Sequence, residues 1–307
     1  MEKRSRPEID IVLLAGPTAS GKSRLALTHA DATGAWVVNG DSMQVYRDLL
    51  VLTARPSEQD ERSTPHRLYG HVDGAVRYSV GAWLADFAEV LAEAREQRRP
   101  LIVVGGTGLY FKVLTEGLAA MPAIPADLRA RVLADTAGLT GPEAHERLRA
   151  IDPEDAASIR PSDRSRIVRA LEVMLATGRP LAEWQRASVQ QPLLGPDTTR
   201  RFMLMPERAE LARRVAARAE AMLAGGALPE VAALLARNLP PEYPLMKAIG
   251  VRQIADHVAG RLSLEEAATA ISLETRHYAK RQMTWFRNQM ADWQRLDAKL
   301  DLPRLPA

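Results

Sequence analysis

The chain has no cysteine. That single absence excludes disulfides, thiolate zinc sites, iron–sulfur clusters and cysteine nucleophiles. Aromatic residues are sparse, at 5%. No run approaches the ~18 consecutive apolar residues of a membrane span, so no membrane partner is expected. Residues 1–6 are basic, but the apolar run behind them is short, holds Asp10 and leads into a glycine loop rather than a cleavage site. No signal peptide is read there, and a cytoplasmic location is the default expectation. A strong charge of either sign is also missing: 41 basic against 38 acidic residues give +3. That balance permits a nucleic-acid partner without requiring one. Lysine is the scarce cation. Lys3, Lys22, Lys112, Lys247, Lys280 and Lys299 stand in a chain that otherwise uses arginine. A retained lysine is therefore a flag, because a compact ammonium and a planar guanidinium do different work.

What is present suits a folded chain of 307 residues, 46% apolar and 26% charged. At roughly 150 residues per domain this means about two domains, or one with a large insertion. Residues 11–15 read as a buried strand, 16–23 as a glycine loop and 24–32 as a helix. Residues 35–38 and 101–104 read as further strands, with a helix over 80–97 between them and another after Gly108. Strands alternating with helices predict a parallel sheet covered on both faces. From about 118 to 199 there are helical patterns and no convincing strand. Ser162 is read as the N-cap of a helix through Ala176, and residues 190–199 as a linker. Residues 201–205 read as a returning strand, and 207–297 as helical apart from 238–244. The expected fold is α/β: a P-loop parallel-sheet core over 1–117, a helical insertion domain over 118–199, and core completion with a helical C-terminal section over 200–307.

Gly16-Pro17-Thr18-Ala19-Ser20-Gly21-Lys22-Ser23 fits G-x-x-x-x-G-K-[ST], in the strand-to-helix context that the motif requires. Backbone N–H groups and a helix N-terminus favour a phosphate chain there. Lys22 adds a mobile charge, and the Ser23 hydroxyl can ligate Mg²⁺. Asp41 ends the second strand, where open α/β sheets place ligands. It can ligate Mg²⁺, cap the next segment or act as a general base. The third strand runs into Gly105-Gly106-Thr107, without the acid that P-loop hydrolases place there to hold Mg²⁺. That argues against ATP hydrolysis and for other chemistry at a diphosphate site. Arg160, Arg164, Arg166 and Arg169 crowd one window with Asp163 as its only acid, an edge suited to phosphates. In the last helix, Ala279, Met283, Phe286, Met290 and Trp293 form a core stripe, and Arg276, Lys280 and Arg287 share another face.

Together these segments resemble the bacterial tRNA dimethylallyltransferase family. The likeness runs over nearly the whole chain, through residues 16–23, 41–47, 78–80, 105–112, 162–184, 246–253 and 275–287. It implies transfer of a dimethylallyl group from dimethylallyl diphosphate to the exocyclic amine of the adenine 3′ of the tRNA anticodon, with Mg²⁺ and release of pyrophosphate. By that resemblance, residues 16–23 hold the diphosphate, with Ser23 on the metal and Lys22 among the catalytic groups. Asp41 is the general base and Thr107 sits at the reaction centre. Gln44 helps hold the flipped-out adenine, and Asp41, Ser42, Met43, Gln44 and Thr107 count among the tRNA-binding residues. Arg129 with Ser165, Arg166, Ile167, Val168 and Arg169 contacts the tRNA anticodon stem-loop, as does the run Lys247, Ala248, Ile249, Gly250, Val251, Arg252. A monomer is expected. The chain departs from the family pattern at Leu52 and Arg55, where the family reads Gly and Lys, at Arg67 and at Val251. None of these carries a group assigned to catalysis. Adenylate isopentenyltransferases and P-loop kinases share the front half, but the Arg-rich insertion and C-terminal motifs favour tRNA.

Overall fold

The computed structural model describes residues 9–187, 191–296 and 305. Lys3, Lys299, Gln190 and Asp297 lie outside the described residues. Residue contacts divide the chain into two compact units, one of Met1–Thr115 with Leu193–Ala307 and the other of Glu116–Pro192.

The first unit is built on a parallel sheet. Its strands are β1 (Ile11–Ala15), β2 (Trp36–Asn39), β3 (His66–Arg67), β4 (Leu101–Gly105), β5 (Arg200–Leu204) and β6 (Gln294–Leu296), in the order β3-β2-β4-β1-β5-β6. β1 and β4 are apolar throughout and buried throughout, as strands with helices on both faces must be. Ile11 pairs with Leu101 and Ala15 with Gly105, so the ends of both strands are level. On one face α1 (Lys22–Thr33) buries Leu25, Ala26 and Ala30 against Val12, Leu14, Val37, Ile102 and Val104. The other helices of this unit are α2 (Glu58–Ser63), α3 (Val80–Glu96) and α4 (Gly108–Glu116) before the second unit. After it come α10 (Arg208–Met222), α11 (Leu228–Ala236), α12 (Val251–Val258) and α13 (Leu264–Gln289). Trp83 of α3 is fully buried, stacks on Tyr110 of α4 at 4.1 Å between centroids, and donates its indole N–H to the Asn39 carbonyl at 3.0 Å. That bond ties the helix layer to the strand end that carries Asp41.

Several elements differ from expectation. α1 begins at Lys22, not Arg24, because Gly21 takes the left-handed φ of 92° that lets the loop turn straight into the helix. β3 and β6 escape a sequence reading because they are two and three residues long and Leu296 is the one buried side chain between them. The expected linker is pinned: Leu194 is fully buried, and its N–H bonds the Leu114 carbonyl at 3.0 Å. The C-terminal helical stretch is broken at Gly226, where φ is 115° and only a residue without Cβ sits unstrained. Among the described residues one helical run, Arg208–Ala236, is long and apolar enough by length and composition to cross a membrane. The Gly226 break divides it, and its Arg214 and Arg218 line a cavity described below.

The second unit comprises α5 (Ala126–Thr136), α6 (Gly141–Ile151), α7 (Pro153–Ser158), α8 (Arg164–Thr177) and α9 (Leu181–Ala187). They close on a core that includes Leu128, Val132, Leu148, Ile167 and Leu171. The N-cap of α8 is Asp163, one residue beyond the expected Ser162; its carboxylate accepts the Arg166 N–H at 3.2 Å. Arg164 does not join a phosphate-binding edge. Its guanidinium caps the C-terminal end of α5 through the Thr136 and Leu139 carbonyls.

Asp152 caps α7 through the Asp155 N–H at 3.0 Å, while its second carboxylate oxygen is buried without a partner. Burial and the neighbouring Asp155 carboxyl push the Asp152 carboxyl up to about 6. A carboxyl raised in the fold adds stability below its unfolded value near 4 and loses it as pH rises through 6. Asp152→Asn keeps the capping oxygen and removes the charge. It is expected to raise the melting temperature at pH 7.5, by roughly 1–2 kcal/mol of stability, and to lose that gain at pH 4. Equal melting at pH 7.5 would contradict this account.

Candidate active site

The strand ends of β1, β2 and β4 place three loops side by side. In residues 16–23, Ala19 and Gly21 both have positive φ, 61° and 92°. The Thr18 N–H donates to Gln282 Oε1 at 3.0 Å, and the Ser20 N–H to the Pro17 carbonyl at 3.3 Å. The N–H groups at the start of α1 lack intrahelical acceptors, as at any helix N-terminus, and face outward with positive potential. Lys22 Nζ donates to the Pro17 carbonyl at 3.1 Å. Burial lowers its ammonium to about 8, Asp41 opposes that shift, and Arg218 adds to it.

Asp41 is locked at its backbone and free at one oxygen. Its N–H donates to Asn39 Oδ1 at 2.8 Å, and its Oδ1 accepts the Met43 N–H at 2.9 Å. Asn39 is fully buried and donates its amide to the Asp41 and Leu68 carbonyls. Asp41 therefore caps a turn rather than a helix. Thr107 Oγ1 accepts the Ser42 N–H at 2.9 Å and donates to Ser42 Oγ at 3.2 Å. The Thr107 N–H donates to the Gly40 carbonyl at 3.2 Å. Asp41, Ser42 and Thr107 thus form one connected group.

The missing acid of β4 has a steric cause. A Cβ on Gly105 would lie 2.0 Å from the Gly40 carbonyl oxygen, so no side chain of any kind fits there. The next position, Gly106, is covered by Gln282, whose Nε2 donates to the Gly106 carbonyl at 2.8 Å. Gln282 is buried and bridges the phosphate loop to the β4–α4 turn.

Two cavities meet at Thr18, Asp41, Thr53, Arg218 and Met222. The larger, about 580 Å³, is walled by residues 18–23, Gln44, Arg55, Tyr69, Arg214 and Arg218. The smaller, about 310 Å³, is walled by Ser42, Met43, Lys247, Ala248, Ile249, Tyr278 and Arg281. Arg214 ties α10 to the loop by donating to the Ser20 carbonyl at 3.1 Å. Burial pushes the Arg218 guanidinium down while Asp41 supports its charge. Gln44 donates its amide to the Thr53 and Ala54 carbonyls at 2.9 and 3.0 Å. Among the described residues no three His, Asp or Glu side chains gather as a metal cage. The donors beside the phosphate loop are the Ser23 hydroxyl and the Asp41 carboxylate, a hard, sparse set that suits Mg²⁺ held chiefly by phosphate oxygens and water.

The structure gathers residues 18–23, Asp41, Ser42, Met43, Gln44, Lys247, Ala248 and Ile249 at these cavities, while Gly16 and Pro17 lie behind them in the loop and Thr107 reaches the site only through Ser42. Gly250 opens α12, Val251 is buried and Arg252 is exposed beside Glu274 at 3.8 Å. The remaining candidates belong to the second unit. There Arg129 and Arg169 converge on the buried Glu172, at 3.4 and 3.2 Å, while Ser165 and Arg166 are exposed. Ile167 is fully buried and offers no side chain to a partner. The sequence reading missed Arg214, Arg218, Tyr278, Arg281 and Gln282. The i, i+4 arginines of α10 were a signal for the first two. In α13 the stripe Ala279, Met283, Phe286 is core as expected, but the cavity takes Thr275, Tyr278 and Arg281 rather than the Arg276, Lys280, Arg287 face.

Fold and site define a P-loop α/β protein whose glycine-loop cavity meets a second cavity at a carboxylate. The profile of the IPP transferase family matches residues 44–289, and the chain belongs to that family. It is 53% identical over 284 residues to a tRNA dimethylallyltransferase of Rhodopseudomonas palustris, covering 92% of this chain and 88% of the relative. A Nitrobacter hamburgensis tRNA dimethylallyltransferase is 54% identical over 289 residues, covering 92% and 89%. The crystal structure of a Bacillus halodurans tRNA isopentenylpyrophosphate transferase aligns with a TM-score of 0.66 at 30% identity, over 95% of this chain and 91% of that one. A eukaryotic dimethylallyltransferase captured acting on tRNA aligns with a TM-score of 0.77 at 26% identity, over 96% and 75%.

Proposed function

We propose that this chain transfers a dimethylallyl group from dimethylallyl diphosphate to the exocyclic amine of the adenine 3′ of the tRNA anticodon, releasing pyrophosphate. The observation that carries this reading is the pair of cavities meeting at Asp41, one lined with phosphate-binding groups and the other wide enough for a base. The new bond joins the amine nitrogen to C1 of the prenyl group as the C1–O bond breaks. The electron pair leaves with pyrophosphate, and the amine proton passes to the Asp41 carboxylate. Lys22, Arg218, Arg214 and the loop amides stabilise the charge that gathers on the leaving group. The Ser23 hydroxyl would hold Mg²⁺, which would add further neutralising charge at the diphosphate. The adenine leaves the anticodon-loop stack to enter the smaller cavity, where Tyr278 offers a ring and Ser42, backed by Thr107, offers a hydroxyl. In this reading the enzyme acts as a cytoplasmic monomer.

The test is incubation with labelled dimethylallyl diphosphate, Mg²⁺ and unmodified tRNA carrying adenine 3′ of its anticodon. Label is expected in the tRNA. Label in free AMP instead, or none in tRNA, overturns the proposal. For the second unit, Arg166→Ala with Arg169→Ala is expected to weaken tRNA binding and lower the slope of log affinity against log salt by about 2. Glu172 keeps Arg129 as its partner in that variant, so its carboxylate stays paired. A slope equal to that of the unaltered chain would remove these arginines from the interface.

A further inference from the structure

α11 takes no part in the chemistry above, yet its Glu230 grips one stretch of the site wall, and Arg237 just past its end pairs with carboxylates flanking that stretch. Glu230 and Arg237 are seven residues apart, two helical turns, and therefore share a face. The Glu230 carboxylate accepts three consecutive backbone N–H groups. Oε1 takes those of Leu50 and Val51, the latter at 2.9 Å, and Oε2 takes that of Leu52 at 2.9 Å. Successive amides converging on one anion form a nest, and each such bond is charge-assisted. Arg237 pairs with Asp48 and, at 2.6 Å, with Asp73, while Asp48 also accepts the Gly74 N–H at 2.8 Å.

The gripped stretch is wall for both cavities. Val51, Thr53, Ala54 and Arg55 face the larger one, and Leu52 and Thr53 the smaller. Its Thr53 and Ala54 carbonyls hold the Gln44 amide. Ala54 has φ 50°, a left-handed conformation that a residue with a Cβ adopts at a cost. Such a turn needs support from outside itself, and Glu230 supplies it from 178 or more residues further along the chain.

We propose that Glu230 is a positioning residue for the transfer: its carboxylate fixes the turn over residues 50–54, which walls both cavities and seats Gln44, without touching donor or acceptor. This rests on the transferase reading given above. In the full chain, Glu230→Ala and Glu230→Gln are expected to speed amide hydrogen exchange at residues 50–52 at least tenfold while residues 11–15 stay protected. In the labelling assay both are expected to lower kcat at least tenfold, with the affinity for pyrophosphate changed less than twofold. Glu230→Asp, which keeps the charge, is expected to recover more of kcat than Glu230→Gln. Variants with unaltered kcat and unaltered exchange overturn the proposal. So does a kcat that falls only in proportion to the fraction of chain still binding pyrophosphate, as simple misfolding would produce. An unaltered chain that transfers no label defeats the transferase reading instead, and the exchange at residues 50–52 then decides the clasp on its own.

Discussion

Asp41→Asn is expected to slow transfer by about 10²–10⁴-fold, the range that a positioned general base supplies. The substitution suits the question because the fold around Asp41 depends on one of its two oxygens. Oδ1 accepts the Met43 N–H at 2.9 Å, and an asparagine carbonyl oxygen accepts it equally well. The backbone of residue 41 is held separately, by the buried Asn39. The amide therefore preserves the turn, the two cavities and the phosphate loop while removing the carboxylate proposed to take the amine proton. Single-turnover transfer measured with saturating donor and tRNA reads the chemical step directly. Donor and tRNA affinities should stay within a few fold of those of the unaltered chain. A single-turnover rate within tenfold of the unaltered one would show that proton removal lies elsewhere.

Lys22→Met is expected to cost about 10²–10³-fold in kcat, comparable to removing one preorganised donor from a developing anion. Its pH signature is more specific. Burial brings the Lys22 ammonium down from 10.5 to about 8, and the folded protein therefore sheds this proton before the unfolded chain does. Between about pH 8 and 10.5 the unfolded state binds more protons, so this group makes the free protein more stable as pH rises through that window. Pyrophosphate prefers the charged form, so the part of its affinity that Lys22 supplies should be flat below pH 8 and fall above it, approaching tenfold per unit. The two trends run in opposite directions over the same interval. Calorimetric titration of pyrophosphate at pH 7, 8 and 9, with and without Lys22→Met, checks the second. An affinity that declines equally in the variant would assign the titration to another group.

The parts of this site that were legible in the sequence are those whose chemistry is local. A glycine loop between an apolar run and a helix states its own function, because the amides that hold phosphate belong to consecutive residues. Asp41 was legible as a site residue from its place at a strand end, but its turn-capping bond to Met43 was not. Gln282 and Arg218 could not be found this way. They reach the phosphate loop from helices some 264 and 200 positions away, and their spacing within those helices is shared with ordinary packing positions. Contiguous runs also over-assigned contacts. Ile167 and Val251 sit beside Arg166 and Arg252, but helix geometry sends these two side chains inward. Arg164 shows the same limit in charge: its place in an arginine-rich window suggested phosphate, and its capping of α5 depends on a partner helix that the window does not contain.

The strand order β3-β2-β4-β1-β5-β6 has a consequence for how the protein is made. In a nascent chain the phosphate loop precedes most of the fold, yet β5 pairs with β1 only after the whole second unit has been synthesised. Arg218 follows, and Gln282, which restrains the Thr18 amide, comes later still. During translation the loop is thus present long before the groups that shape its surroundings. A ribosome-bound chain stalled before Gln282 would carry an intact motif and an unfinished pocket, so binding of the anionic substrate should begin only as α13 leaves the exit tunnel.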